Sequence, residues 1–189
     1  MVQNPFHNSR LLESTSWVAP TIDVSDRGSP MRFSIQDAFN YHGYDAPGGV
    51  VLGFRLLQRA FSLLTPGKTC PDRRGLFLFT AFPGLGLRDT MELVTRLVTE
   101  DRFSLDTAFD DSRAQEGVAG RFYYRFTYDG RSVELAPLEG YPGGEFIRLG
   151  KASKMPGFDE EEAEAWRNAK YQLANTLLGA PAEAVIRVL

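Results

Sequence analysis

A chain of 189 residues with 43% hydrophobic and 24% charged residues is long enough to bury one well-packed core and falls within the size of a single domain. Its net charge of -3, with the 21 Lys and Arg spread along the chain, argues against a nucleic-acid binder, which gathers basic residues on one face. The single cysteine, Cys70, excludes an intramolecular disulfide and any zinc site built on several thiolates.

No run of about 18 apolar residues suggests a membrane span, and no basic segment followed by an apolar core opens the chain, so a cytoplasmic protein is expected, without membrane or nucleic-acid partners. Residues 1–30 mix Asn, Ser, Asp, Gly and Pro with isolated apolar side chains and predict an extended N-terminal arm, docked through Trp17 and Val18. Residues 31–189 are expected to form one α+β domain with C-terminal helices.

Ser34 is placed to cap a short helix through Asn40, with Asp37 serving its first-turn amides. The chain then enters a tight turn, Tyr41-His42-Gly43-Tyr44-Asp45-Ala46-Pro47-Gly48-Gly49. From Gly49 to Leu64 the sequence is apolar nearly all round, the pattern of a helix buried on every side. Within it Gly53 costs about 1 kcal/mol of helix propensity relative to alanine, which points to close approach by another backbone or a ligand. Thr65-Pro66-Gly67 ends this helix.

Leu76-Phe77-Leu78-Phe79-Thr80-Ala81-Phe82 predicts a strand buried on both faces. Pro83-Gly84-Leu85-Gly86 leads to a second helix, with Leu87, Met91, Val94 and Val98 on one stripe. A strand is expected over Phe103 to Phe109, then a polar loop to Gly120. Alternating aromatics at Phe122, Tyr124, Phe126 and Tyr128 before Asp129-Gly130, followed by Val133 and Leu135, carry the type I′ hairpin signature. Gly140 to Gly157 is expected to be a long loop, its Lys151-Ala152-Ser153-Lys154 segment suited to a binding edge. Asp159 opens a last long helix whose buried side carries Ala163, Trp166, Leu173 and Leu177, and Gly179 closes it before one more short helical turn from Pro181. Helices and strands in this order predict an α+β fold rather than an alternating, doubly wound sheet.

Chemistry concentrates in the Tyr41 to Gly49 turn. His42 reads either as an imidazole donating to a backbone carbonyl or as a ligand-contacting, proton-transferring or metal-binding group. Tyr41 and Tyr44 read as packing residues with bonded hydroxyls, and Asp45 as a helix cap or a carboxylate of the site. Arg88 and Asp89, just inside the second glycine-led helix, suit an anion site or a plain helix start. Hydrolase nucleophile elbows, zinc-protease helices, phosphate loops and dinucleotide fingerprints are all missing from the sequence.

His42, Gly43, Pro47, Gly48 and Gly53 resemble the His-Gly-His-x-Cys-Pro-Gly signature and following helix of the FmdE-like family of formylmethanofuran dehydrogenase components, with one extra residue between Pro47 and Gly53. The resemblance spans Ile35 to Leu138 and returns at Asn175 to Glu183. Tyr44 stands where the family has its second histidine and Ala46 where it has its cysteine; Asp89 matches an aspartate, and Gly86 takes the place of a second cysteine. The resemblance implies a mixed, largely antiparallel sheet covered by helices, similar in layout to the second domain of glyceraldehyde-phosphate dehydrogenase. It also implies association with molybdenum or tungsten enzyme subunits of one-carbon metabolism, although many relatives are free-standing. An inherited site for one divalent metal ion would rest on His42 with Asp45, Tyr44 or Asp89.

The reading that combines these signals is a free-standing binding protein whose small-molecule or metal pocket lies between the His42 turn and the Asp89 helix start. His42, Tyr44, Asp45, Arg88 and Asp89 would be its site residues. The alternatives are an enzyme in which His42, assisted by Asp45 or Asp89, moves a proton, and a structural or assembly subunit. Strand edges make a homodimer the expected oligomer.

Overall fold

A computed structural model describes residues 19–189. The first eighteen residues of the expected arm, including Trp17 and Val18, lie outside the described residues.

Where the sequence predicts that the arm continues, a hairpin forms: β1 (Thr21–Asp26) pairs antiparallel with β2 (Ser29–Ser34). Arg27 and Gly28 make the two-residue turn, both with positive φ, of 51° and 85°, as a type I′ connection requires. Ile22 and Val24, two apart in β1, point into the core, so a period of two is present in the sequence but lacks an Asn-Gly or Asp-Gly marker.

Ser34 caps α1 (Ile35–His42) through a reciprocal capping box with Asp37, as expected. The central helix α2 (Pro47–Leu64) begins two residues earlier than Gly49 and is buried along nearly its whole length. Its neighbours are the glycine-led helix α3 (Leu85–Thr95) and the long C-terminal helix α5 (Glu160–Leu178). α3 stops at Arg96, which adopts φ 55°, so Leu87, Met91 and Val94 form the buried stripe while Val98 lies past the helix end.

The main sheet has the order β4-β3-β5-β6-β7, made of β3 (Leu76–Thr80), β4 (Phe103–Leu105), β5 (Tyr124–Tyr128), β6 (Arg131–Pro137) and β7 (Ile186–Val188). Only the β3–β4 pair is parallel, so the sheet is mixed and largely antiparallel, in an α+β fold. Asp129 and Gly130 turn the β5–β6 hairpin with φ of 52° and 72°. α2 packs on one sheet face, where Leu76, Leu78, Tyr124, Phe126 and Leu135 join its core. β3 is therefore not buried on both sides: Phe77 is 51% exposed on the opposite face, and Phe79 rests there on Phe109 and Tyr123.

Two elements differ from the sequence reading: the expected loop from Gly140 contains α4 (Gly144–Ala152), and the edge strand β7 follows the last helix. The short helical turn expected from Pro181 is present as α6 (Ala182–Val185), with Pro181 at its N-cap. β4 is shorter than the expected Phe103 to Phe109 strand. Edge elements of three residues carry too little periodicity to stand out.

Candidate functional site

Two glycine-rich segments meet at the top of the core. α3 crosses α2 backbone to backbone: a Cβ on Gly86 would lie 2.9 Å from both the Ala46 carbonyl oxygen and the Val50 nitrogen, and one on Gly53 would lie 3.1 Å from the Leu87 Cα. The Thr90 hydroxyl, 3.2 Å from the Val50 carbonyl, donates across the same crossing. Gly53 thus serves close helix packing, the backbone alternative anticipated from its place in an apolar helix.

The crossing leaves a cavity of about 200 Å³ between the first turns of α2 and α3 and the α4–α5 pair. Its walls are almost wholly apolar. Phe82 and Phe122 meet with ring centroids 4.4 Å apart, and Phe146 and Trp166 at 4.6 Å, all four lining the space with Leu52 and Leu173. Gly48, Gly49, Gly84 and Gly86 supply a backbone-rich part of the lining. Neither α2 nor α3 has a side chain bonded at its N-cap, Ala46 and Gly84 respectively, so the first-turn amides have no partner within their own helices. Asp45, expected as a possible cap of α2, does not take that role.

Among the described residues the only ionisable side chains on the walls are Lys154 and Lys170. The Lys170 ammonium donates to the Asp45 carbonyl at 2.6 Å and lies 5.7 Å from the Trp166 ring centroid. Lys154 donates to the Val118 carbonyl at 3.4 Å. Burial lowers the Lys170 pKa below the usual lysine value, opposed by the nearby Asp45 charge.

The expected site residues fall elsewhere. His42 and Asp89 touch directly, Nδ1 to Oδ2 at 2.7 Å. Their side chains are 10% and 31% exposed. An ionised Asp89 selects the tautomer with Nδ1 protonated, leaving Nε2 as an acceptor; Nε2 is buried and has no hydrogen-bond partner among the described residues. Tyr44 stacks on Phe39 at 5.3 Å and its hydroxyl accepts from Gln36, the packing role that is one reading of it from sequence. Asp45 and Arg88 are exposed. None of His42, Tyr44, Asp45, Arg88 and Asp89 lines the cavity. A metal ion on His42 would have Asp89 beside it, but among the described residues no group of three or more His, Cys, Asp and Glu side chains converges on one point.

No protein-family model matches this chain, and no curated protein matches it. The resemblance therefore rests on the quoted residues, and two of them acquire a place in the structure. Ala46 and Gly86, standing where the resembled signature has cysteines, both line the cavity and nearly touch. A thiol side chain at residue 86 would drive its Cβ into the α2 backbone.

The sequence locates these two turns but not the opposite wall. Lys170 follows Trp166 by four residues and precedes Leu173 by three, which puts all three along one side of a helix. In the sequence that stripe reads only as packing, because nothing in it says that the facing surface is hollow.

Proposed function

We propose that this protein is a free-standing binding protein of the FmdE-like type, and that its small-molecule site is the cavity between the first turns of α2 and α3 and the α4–α5 pair. The observation that carries this reading is an apolar, aromatic-walled space whose only ionisable groups, among the described residues, are two lysines, the composition typical of small-molecule pockets. Shape and apolar contact would supply affinity, and the few polar groups would set orientation.

The test uses the neutral fluorescent probe N-phenyl-1-naphthylamine, whose emission rises on leaving water and which can accept energy from Trp166. Saturable binding, weakened by about tenfold when Ala119→Trp fills the cavity wall, supports the site. Equal binding to wild type and variant would place the probe elsewhere and sink the reading.

A second reading is carried by the buried, unpartnered Nε2 of His42 with Asp89 on its other nitrogen, the pairing of a base and the carboxylate that orients it. In the binding-protein reading this pair instead ties the end of α1 to α3, and His42→Gln changes probe affinity by less than about twofold. A loss of about tenfold or more in a folded His42→Gln protein would move the functional centre to the histidine.

A further inference from the structure

We infer that the cavity's ligand is an amphipathic monoanion, an aromatic or short-chain apolar body ending in a carboxylate or sulfonate-like group, and that Lys170 is the residue that reads its charge. This rests on the binding site proposed above and names the chemistry it selects.

The charge pattern of the α4–α5 pair is the first support. Basic residues on the outside of these elements are neutralised in place: Arg148 by Glu145 at 2.8 Å, Lys151 by Glu116 at 2.7 Å, and Arg167 by Glu160 and Glu164, each at 2.7 Å. Among the described residues no carboxylate lies within ion-pair distance of either cavity lysine. Lys170 and Lys154 are held by backbone carbonyls. In a chain with 24 acidic and 21 basic residues, a wall with two ammonium groups and no carboxylate is a local inversion of sign.

The second support is energetic. Lys170 is half-buried beside Trp166, and burial already disfavours its charged form. An ammonium in that position gains more from an anionic partner than a fully solvated one, because the water that would screen the pair has been removed. The hydrogen bond to the Asp45 carbonyl and the contact with the Trp166 ring fix the direction of the ammonium before a ligand arrives, which reduces the ordering cost of binding. The first-turn amides of α2 and α3 add positive potential to the same lining.

A matched pair of probes separates this inference from the existence of the site. 1-Anilinonaphthalene-8-sulfonate and N-phenyl-1-naphthylamine share the same aromatic frame, and only the former carries a charge. Both should bind wild type, the anion tighter by about tenfold. Lys170→Met should abolish that preference and leave the neutral probe unchanged, while Lys151→Met, a lysine outside the cavity, should change neither. Equal affinity for the two probes, or a preference that survives Lys170→Met, overturns the inference while the cavity remains a binding site. Failure of both probes to bind overturns the site itself and the inference with it.

Discussion

The arginine-capped C-terminal ends of α3 and α5 and the N-terminal ends of α2 and α3 are treated in opposite ways. At the C-terminal ends, buried arginines supply donors: Arg55 bonds the Leu177 and Leu178 carbonyls of α5 at 2.9 and 3.0 Å, Arg73 bonds Val94 and Leu93 of α3 at 2.8 and 2.6 Å, and Arg102 bonds Thr95 at 2.7 Å. Burial pushes the pKa of each below the ordinary arginine value, yet each guanidinium sits at the negative pole of a helix, where a cation is favoured. At the N-terminal ends of α2 and α3 no side chain performs the matching service, and those ends face a cavity with two lysines. The fold completes one set of poles internally and leaves the other set, positive in sign, to whatever enters. Closed ends hold the frame, and the open ends are where selection can act.

The largest effect is expected from breaking a closed end. Arg55→Ala removes both donors and leaves two α5 carbonyls without them in the core, which should cost about 3 kcal/mol, since hydrogen bonds to charged groups contribute about 1.5–3 kcal/mol each. Urea unfolding monitored by circular dichroism measures it. A loss under about 1 kcal/mol would mean that the carbonyls find other partners and that the closed end is less closed than its geometry implies. Next in size is Gly86→Ala, at the junction of the open ends. The added methyl meets backbone atoms that cannot rotate away, so α3 must shift, at a cost of about 2 kcal/mol by comparison with overpacked cores. The same unfolding experiment checks it, and unchanged stability would show the α2–α3 crossing to be slack.

The difference between frame and site also governs what can be read from the sequence. α2 is legible because ten apolar residues between Val50 and Leu64 leave no polar face, and the β5–β6 turn because Asp129-Gly130 permits positive φ at both positions. The two glycine turns are legible as close approaches. What cannot be read is which side of them is open. In sequence His42 and Asp89 look like the rims of a pocket, whereas, 47 residues apart along the chain, they are in direct contact in space. Lys170 is 125 residues from the Asp45 carbonyl it bonds, and no local period reports a partner at that separation. β7 escapes the sequence for a different reason, since an edge strand of three residues lies near the noise of any periodicity, while β1 has the period but turns through Arg27-Gly28 rather than an Asn-Gly or Asp-Gly pair.

The pH dependence of binding sharpens the comparison at the open end. The folded pKa of Lys170 is depressed below 10.5, so its charge is lost at lower pH than that of an ordinary lysine. An anion is attracted by the protonated amine and not by the neutral one. Affinity for 1-anilinonaphthalene-8-sulfonate should therefore hold at neutral pH and fall by about tenfold as pH rises through the folded pKa. Lys170→Met should remove the fall, and the neutral probe should show none. A fall of equal size with the neutral probe would report unfolding at high pH rather than discharge of the lysine.

The smallest effect concerns Glu92, where the protein itself does what a bound carboxylate would do at the cavity. Its carboxylate accepts from the Val98 and Thr99 amides at 2.9 and 3.0 Å and from the Thr99 hydroxyl. Burial alone would raise its pKa, but those hydrogen bonds and the Arg96 charge outweigh burial and leave it lowered from 4.5. A depressed carboxyl pKa contributes stability that is present above the unfolded value and disappears as pH falls through the folded one. Wild type should consequently lose this increment on acidification below about pH 4.3, the ordinary glutamate value, whereas Glu92→Gln should lack it already at neutral pH. Because the carboxylate is partly solvated, the difference between the two proteins at pH 7 should be below about 1 kcal/mol. Thermal unfolding of both across pH 3–7 measures the convergence, and curves that stay parallel down to the lowest pH would show that paired amides gain nothing from a charged acceptor in this fold.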